Sequence, residues 1–173
     1  MNLTMNWAIP IDDEIDPSSV RTSQRAELLA AIHGIYELAE FESDSNEARA
    51  EHRDSNDKVT WVITSDSEYV VLGMTEWVPA WKVGRTGCLC PSFLSHLSEQ
   101  RNGWRNSSRK RPKNLDLFQR LDAAVERYER EYGVRIAFWR ISRVYNGLAD
   151  ELAGVAAGGQ TIELVQFEYV YRA

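Results

Sequence analysis

The stretch from Lys58 to Val71, KVTWVITSDSEYVV, constrains the fold more than any other part of the chain. Val59, Trp61 and Ile63 alternate with Thr60, Val62 and Thr64, all β-branched or aromatic, so the segment is a core strand buried on at least one face. Asp66 stands where the strand gives out. Ser67 can cap a following helix in which Tyr69, Leu72, Gly73 and Trp77 recur at helical spacing, ending near Trp81 and Lys82. An acid at the carboxyl end of a core strand occupies the place where open α/β sheets bind ligands.

The flanking elements set the class. Asn6 to Glu14 is a weak strand candidate, with Trp7, Ile9 and Ile11 alternating ahead of an acidic turn, and Ile15 to Val20 is loop. Thr22 or Ser23 opens a helix through Ala39 with Leu28, Leu29, Ile32, Ile35, Tyr36 and Ala39 on its apolar face. Glu27 falls in its first turn, where an exposed carboxylate gains roughly 0.3 to 1 kcal/mol from the helix dipole; charge complementation is the plain reading. Residues 42–57 are polar and read as a flexible connection. Further on, Asn114 caps a long helix with Leu115, Phe118, Leu121, Val125, Tyr128 and Tyr132 inward, and Gly133 ends it. Arg135 to Ile141 is a second apolar strand, and a loop through Tyr145 leads to a small-residue helix from about Gly147 to Ala157. Gly158 and Gly159 stop that helix, and Thr161 to Tyr171 is an extended terminal segment. There are no internal repeats. Strands alternating with helices imply a single α/β domain over residues 1–173, with a parallel crossover around the central strand.

Composition narrows the function classes. A net charge of −6 argues against a surface that embraces nucleic acid everywhere, because phosphate binding is driven by Lys and Arg. The distribution is uneven, however. Arg101, Arg105, Arg109, Lys110, Arg111 and Lys113 cluster around Trp104 with no acid among them, a local stripe able to bind phosphates and sugars; a solvated charged loop is the alternative. Cys88 and Cys90 are the only cysteines, so neither a disulfide framework nor a zinc site is implied. No apolar run approaches the ~20 residues that span a bilayer, and Met1 to Pro10 lacks the regions of a signal peptide. The expectation is an intracellular protein, nuclear or cytoplasmic, neither secreted nor membrane-embedded.

Three acids stand at element ends: Glu27, Asp66, and Asp150, which lies one turn after Asn146. Magnesium takes hard oxygen ligands and is held by few carboxylates together with water and substrate phosphate. Two such ions ~4 Å apart can clamp the attacking and leaving oxygens of a phosphoryl displacement. The chain holds 26 acids, so a triple by itself is weak evidence.

Four blocks in order carry more weight: TSQRAEL (Thr22 to Leu28), TSDSEYV (Thr64 to Val70), RPKNLDLFQRLDAAV (Arg111 to Val125) and YNGLADELAGVAA (Tyr145 to Ala157). Together they resemble the signature blocks of type 1 ribonuclease H, particularly its fungal members. The resemblance implies a ribonuclease H-like mixed β-sheet flanked by helices. It also implies cleavage of the RNA strand of RNA/DNA hybrids with magnesium, or manganese in its place, held by an acidic cluster. By motif, Glu27, Asp66 and Asp150 match three of the family's four carboxylates. Asn146, Ser23 and Gln24 match positions that touch the hybrid, and Trp77, Trp81, Trp104, Arg105, Lys110, Arg111 and Lys113 resemble its basic, nucleic-acid-binding handle.

The chain also departs from the family pattern. The family's first two strands and its first catalytic Asp have no counterpart ahead of Glu27, and Asn6 to Glu14 best resembles the third strand. A rearranged alternative places Asn6 to Asp13 parallel beside the central strand, bringing Asp12 or Asp13 toward Asp66. Residues 83–100 interrupt text that otherwise resembles the family's, and read as a loop insertion or a translated intron; residues 160–173 are a C-terminal extension. The loop Ser142 to Asn146 lacks the His that many members use to assist proton transfer, and His33, His52 and His96 are poor ligand candidates. The expected function is a hybrid-cleaving ribonuclease H, active or impaired. The rivals are a silent nucleic-acid-binding module of the same fold and a fragment.

Overall fold

The computed structural model describes residues 2–18, 20–49, 59–82 and 103–168. In chain order the elements are β1 (Asn2–Ala8), α1 (Ser23–Arg49), β2 (Thr60–Ser65), α2 (Glu68–Leu72), a π-helical turn (Gly73–Trp77), α3 (Val78–Lys82), α4 (Leu115–Tyr132), β3 (Arg135–Arg140), a 3-10 turn (Arg143–Tyr145), α5 (Gly147–Ala157) and β4 (Ile162–Glu168). They fall into two compact units, one of Met1–Arg21 with Ile141–Ala173 and one of Thr22–Arg140. Each unit contains one strand pair.

In the larger unit, α1 starts from Thr22, whose carbonyl accepts the amide hydrogens of Arg25 (2.9 Å) and Ala26 (3.0 Å). Its buried face is Leu28, Leu29, Ile32, Ile35 and Ala39, the face that the sequence period selects. The helix continues to Arg49, so residues 42–49 are helical where a flexible connection was expected. Glu47, Ala48 and Arg49 are good helix formers, and extending an existing helix costs far less than starting one.

β2 pairs in parallel with β3, Thr60 opposite Arg135 through Ser65 opposite Arg140. Trp61 and Ile136, directly opposite, are both buried, and Trp61 packs on the Tyr132 ring at 5.4 Å. Val62 and Thr64 face outward. This is the expected parallel crossover, with α2, α3 and α4 between the strands. Residues 83–100, expected to be an insertion or a translated intron, lie outside the described residues.

The helical run after β2 buries Val70, Val71, Met74, Val78 and Trp81, while Tyr69, Leu72 and Trp77 of the expected face are half-buried. The π turn inserts extra rotation at Gly73, which lies against the Phe118 ring so closely that a Cβ there would fall 2.2 Å from Cε1. Asn114 precedes α4 in the left-handed region (φ 54°) without a side-chain cap. Its carbonyl accepts from Leu117 and Phe118, both at 3.2 Å, while its amide donates to Tyr69 Oη at 3.2 Å. α4 buries Leu115, Leu117, Phe118, Leu121 and Ala124. It is tied to α1 by the Arg25–Asp116 pair (2.7 Å) and to α3 by Lys82, which donates to Asp122 at 2.8 Å and Glu126 at 2.5 Å.

In the smaller unit β1 pairs antiparallel with β4, Asn2 opposite Glu168 through Ala8 opposite Ile162. The strand therefore starts ahead of the expected Asn6–Glu14 segment, and its hydrogen-bonded partner is β4, not β2 as the rearranged alternative required. Pro10 offers no amide hydrogen, and Asp12 Oδ1 accepts from Glu14 (3.0 Å) and Ile15 (2.9 Å), folding the acidic segment into a turn. β4 falls within residues 160–173, expected to be a C-terminal extension, and residues 169–173 lie outside the described residues. Among the described residues no helix is long and apolar enough to cross a membrane.

Candidate active site and nucleic-acid interface

Glu27 is the fifth residue of α1, so it lies beyond the first turn, which holds no acid. That corrects the reading of Glu27 as a partner of the helix dipole, an interaction that fades after one turn. The half-buried carboxylate instead accepts from Ser67 Oγ at 2.5 Å. Ser67 is itself buried and caps α2, its Oγ accepting from the Val70 amide at 3.3 Å. One hydroxyl thus fixes the start of the helix that leaves β2 and draws the α1 carboxylate to the carboxyl end of that strand. Asp66, half-buried, is the residue immediately before it. Within this unit, among its described residues, no third His, Cys, Asp or Glu joins these two acids in a cluster able to hold a metal.

Glu27 and Asp66 are hard oxygen donors on rigid elements, the chemistry that suits a divalent cation of the magnesium type. A carboxylate has about four lone-pair sites, so the bond from Ser67 leaves Glu27 with coordinating capacity. Ser23 is exposed and Gln24 half-buried in the first turn of α1, the turn ahead of Glu27.

The basic stretch is described from Gly103 onward. Arg105, Arg109, Lys110, Arg111 and Lys113 are exposed and Trp104 is half-buried. Arg101, the first cation of the patch, lies outside the described residues. The base of the loop is anchored by Tyr69, whose hydroxyl donates to the Lys113 carbonyl at 3.1 Å and accepts from Asn114. Burial raises the Tyr69 pKa, and the Asn114 hydrogen bond works against that shift. Trp77 is half-buried against Tyr69 and Phe118. Trp81, expected at the nucleic-acid surface, is buried against Phe118 at 5.3 Å and serves the core.

Asp150 and Asn146 belong to the smaller unit. Asp150 is exposed in the first turn of α5, and its amide donates to the Asn146 carbonyl at 3.0 Å, which starts that helix. Sequence reasoning saw Ser67 only as a cap and passed over Asn106, whose side chain organises the basic loop. The signal for Asn106 was the run Asn106 Ser Ser Arg, a sequence suited to an Asx turn.

A parallel strand pair with a helical crossover, an aspartate just past the first strand and a glutamate bonded to the serine that follows it define an α/β protein with hard oxygen donors near its strand terminus. The chain belongs to the ribonuclease H family: the family model described as RNase H matches residues 13–157, and the fold is the α/β fold of that family. A protein named Ribonuclease H from Bordetella avium (strain 197N) is 36% identical, covering 82% of this chain and 69% of its own length. One of the same name from Ruegeria sp. (strain TM1040) is 36% identical over 62% of this chain and 46% of its own length. One from Aeromonas hydrophila subsp. hydrophila is 31% identical over 82% of this chain and 68% of its own length. The chain therefore spans from about half to about two thirds of the length of these relatives.

Proposed function

We propose that this chain is a ribonuclease H that cuts the RNA strand of RNA/DNA hybrids endonucleolytically by a two-metal mechanism, with magnesium, or manganese in its place, as cofactor. The observation that carries the reading is the Ser67 bond, which draws Glu27 to the strand end marked by Asp66, in a chain of the ribonuclease H family. Glu27 and Asp66 would hold the ions, with Asp150 assigned to them by its motif. When bound, the ions supply activation of the attacking water and neutralise charge developing on the scissile phosphate. The protein's own residues position the parts. Ser67 holds the Glu27 carboxylate in one orientation, Ser23, Gln24 and Asn146 offer hydrogen bonds to the hybrid, and Trp77, Trp104 and the cations from Arg105 to Lys113 grip its backbone.

The test is a hybrid with each strand labelled separately, incubated with the full chain and magnesium. Only the RNA strand is expected to be cut, and Asp66→Asn and Asp150→Asn should each abolish cutting while leaving the melting temperature near its starting value. Retarded migration of an uncut hybrid would replace this reading with a silent binding module, and cutting by Asp66→Asn would remove Asp66 from the site.

A further inference from the structure

We infer that Asn106 is a positioning residue that presets the cationic loop in the conformation that grips a nucleic-acid backbone. The inference rests on the proposed hybrid-binding role of that loop. Asn106 makes four hydrogen bonds within five residues. Its Oδ1 accepts from the amides of Ser108 (3.0 Å) and Lys110 (2.9 Å). Its amide donates to the Lys110 carbonyl at 3.0 Å, and its carbonyl accepts from Arg109 at 2.8 Å. Arg109 turns the chain through the left-handed region at φ 60°, and Arg105 Nη1 donates to the Arg109 carbonyl at 3.0 Å, across the turn. Arg105, Arg109 and Lys110 are thereby presented from one closed turn, although all three are exposed and like-charged.

Three cations this close repel one another, so the turn does not close for electrostatic reasons. The Asn106 side chain adds two bonds to the backbone bonds that close it, satisfying two amides that would otherwise point to water. Asparagine also suits an Asx turn geometrically, since its carboxamide reaches the amide two residues on. A preset loop forfeits less conformational entropy when it docks, and such a gain appears mainly in the dissociation rate. Long-range attraction depends on the cations themselves and governs the association rate and its salt dependence.

These two contributions are separable by stopped-flow binding of a fluorescein-labelled RNA/DNA hybrid to the full chain in EDTA. Asn106→Ala should raise the dissociation rate about tenfold, the cost of ordering one or two residues, and leave the association rate and salt slope unchanged. Amide exchange at Ser108 and Lys110 should accelerate, with the melting temperature unchanged. Asn106→Ser, which can make a weaker turn of the same kind, should recover part of the slow dissociation. A Lys110→Ala/Arg111→Ala variant should instead slow association and flatten the salt slope. If that charge variant weakens binding and Asn106→Ala does not, the positioning role is overturned and the loop keeps its binding role. If neither variant changes binding, the loop is not the interface and both ideas fall.

Discussion

Replacing Gly73 with Ala tests how the helical run after β2 is seated. In a helix interior this change ordinarily stabilises by up to ~1 kcal/mol. Here the added Cβ would lie 2.2 Å from Phe118 Cε1 and 2.6 Å from Cζ, against the ~3.5 to 4.0 Å of an ordinary carbon contact. Phe118 is fully buried and ringed by Tyr69 at 5.3 Å and Trp81 at 5.3 Å, so it has no direction in which to retreat by more than an ångström. Overpacking of this kind costs about 1 to 3 kcal/mol, and the steepness of the clash argues for the upper end. Setting ~3 against ~1 leaves a loss of about 2 kcal/mol, a fall in melting temperature of roughly 4 to 8 °C for a chain of this size. Thermal and urea unfolding followed by circular dichroism would read it. Phe118→Leu alone should also destabilise, by leaving a cavity, but combined with Gly73→Ala it should cost at least ~1 kcal/mol less than the sum, because each relieves the other. A Gly73→Ala protein as stable as the parent, or strictly additive losses, would refute the seat on Phe118.

Other perturbations probe separate contacts. Ser67→Ala removes both the α2 cap and the donor to Glu27, and should cost about 1 to 2 kcal/mol. It should also raise the magnesium concentration needed for half-maximal cutting, a shift that a pure capping role would not produce. The Arg25 hydrogen bonds hold the Asp116 carboxyl below its usual pKa, so the stability they add is present above about pH 4 and lost as pH falls through the depressed value. Since Asp116 is half exposed, Asp116→Asn should cost only about 1 kcal/mol at neutral pH, and the difference from the parent should vanish in acid denaturation curves. Burial, then Arg120, lowers the pKa of His33, whose Nε2 is buried without a partner among the described residues. The unfolded chain therefore binds the proton more readily, and stability should decline as pH falls below about 6.5. His33→Gln should flatten that decline in urea titrations at successive pH values.

The strand pair and the two long helices were legible because their residues carry a strong period. Trp61 and Ile63 in β2, Ile32 and Ile35 in α1, and Phe118 and Leu121 in α4 each bury the face that alternation or 3.6-residue spacing selects. What escaped the period depended on contacts distant in sequence. The run after β2 buries Val71, Met74, Val78 and Trp81 rather than Tyr69 and Trp77; both sets stand at helical spacing, and packing on the distant Phe118 decides between them. β1 was placed late because Trp7, Ile9 and Ile11 alternate as well as Leu3 and Met5 do. Its partner is β4 at the other end of the chain, a contact that no local pattern reports.

The candidate site shows the same division. Asp66 and Ser67 were found from local logic, a strand end followed by a cap, and the structure keeps both roles. Glu27 was reached through a motif, and its local reading was a surface charge answering a helix dipole. The helix starts at Ser23, as expected, and Glu27 is its fifth residue, already past the first turn, so the dipole does not account for the acid. What accounts for it is a hydroxyl forty positions away in sequence. A half-buried carboxylate beside a strand-terminal aspartate is costly in stability unless it is bonded, since burial disfavours charge. The Ser67 bond offsets that cost while keeping both acids at the end of β2. A cation that binds these carboxylates in the folded chain and not in the unfolded one adds to stability. Divalent ions should therefore raise the melting temperature of the full chain, and Asp66→Asn should remove that rise while leaving the metal-free melting temperature near its starting value.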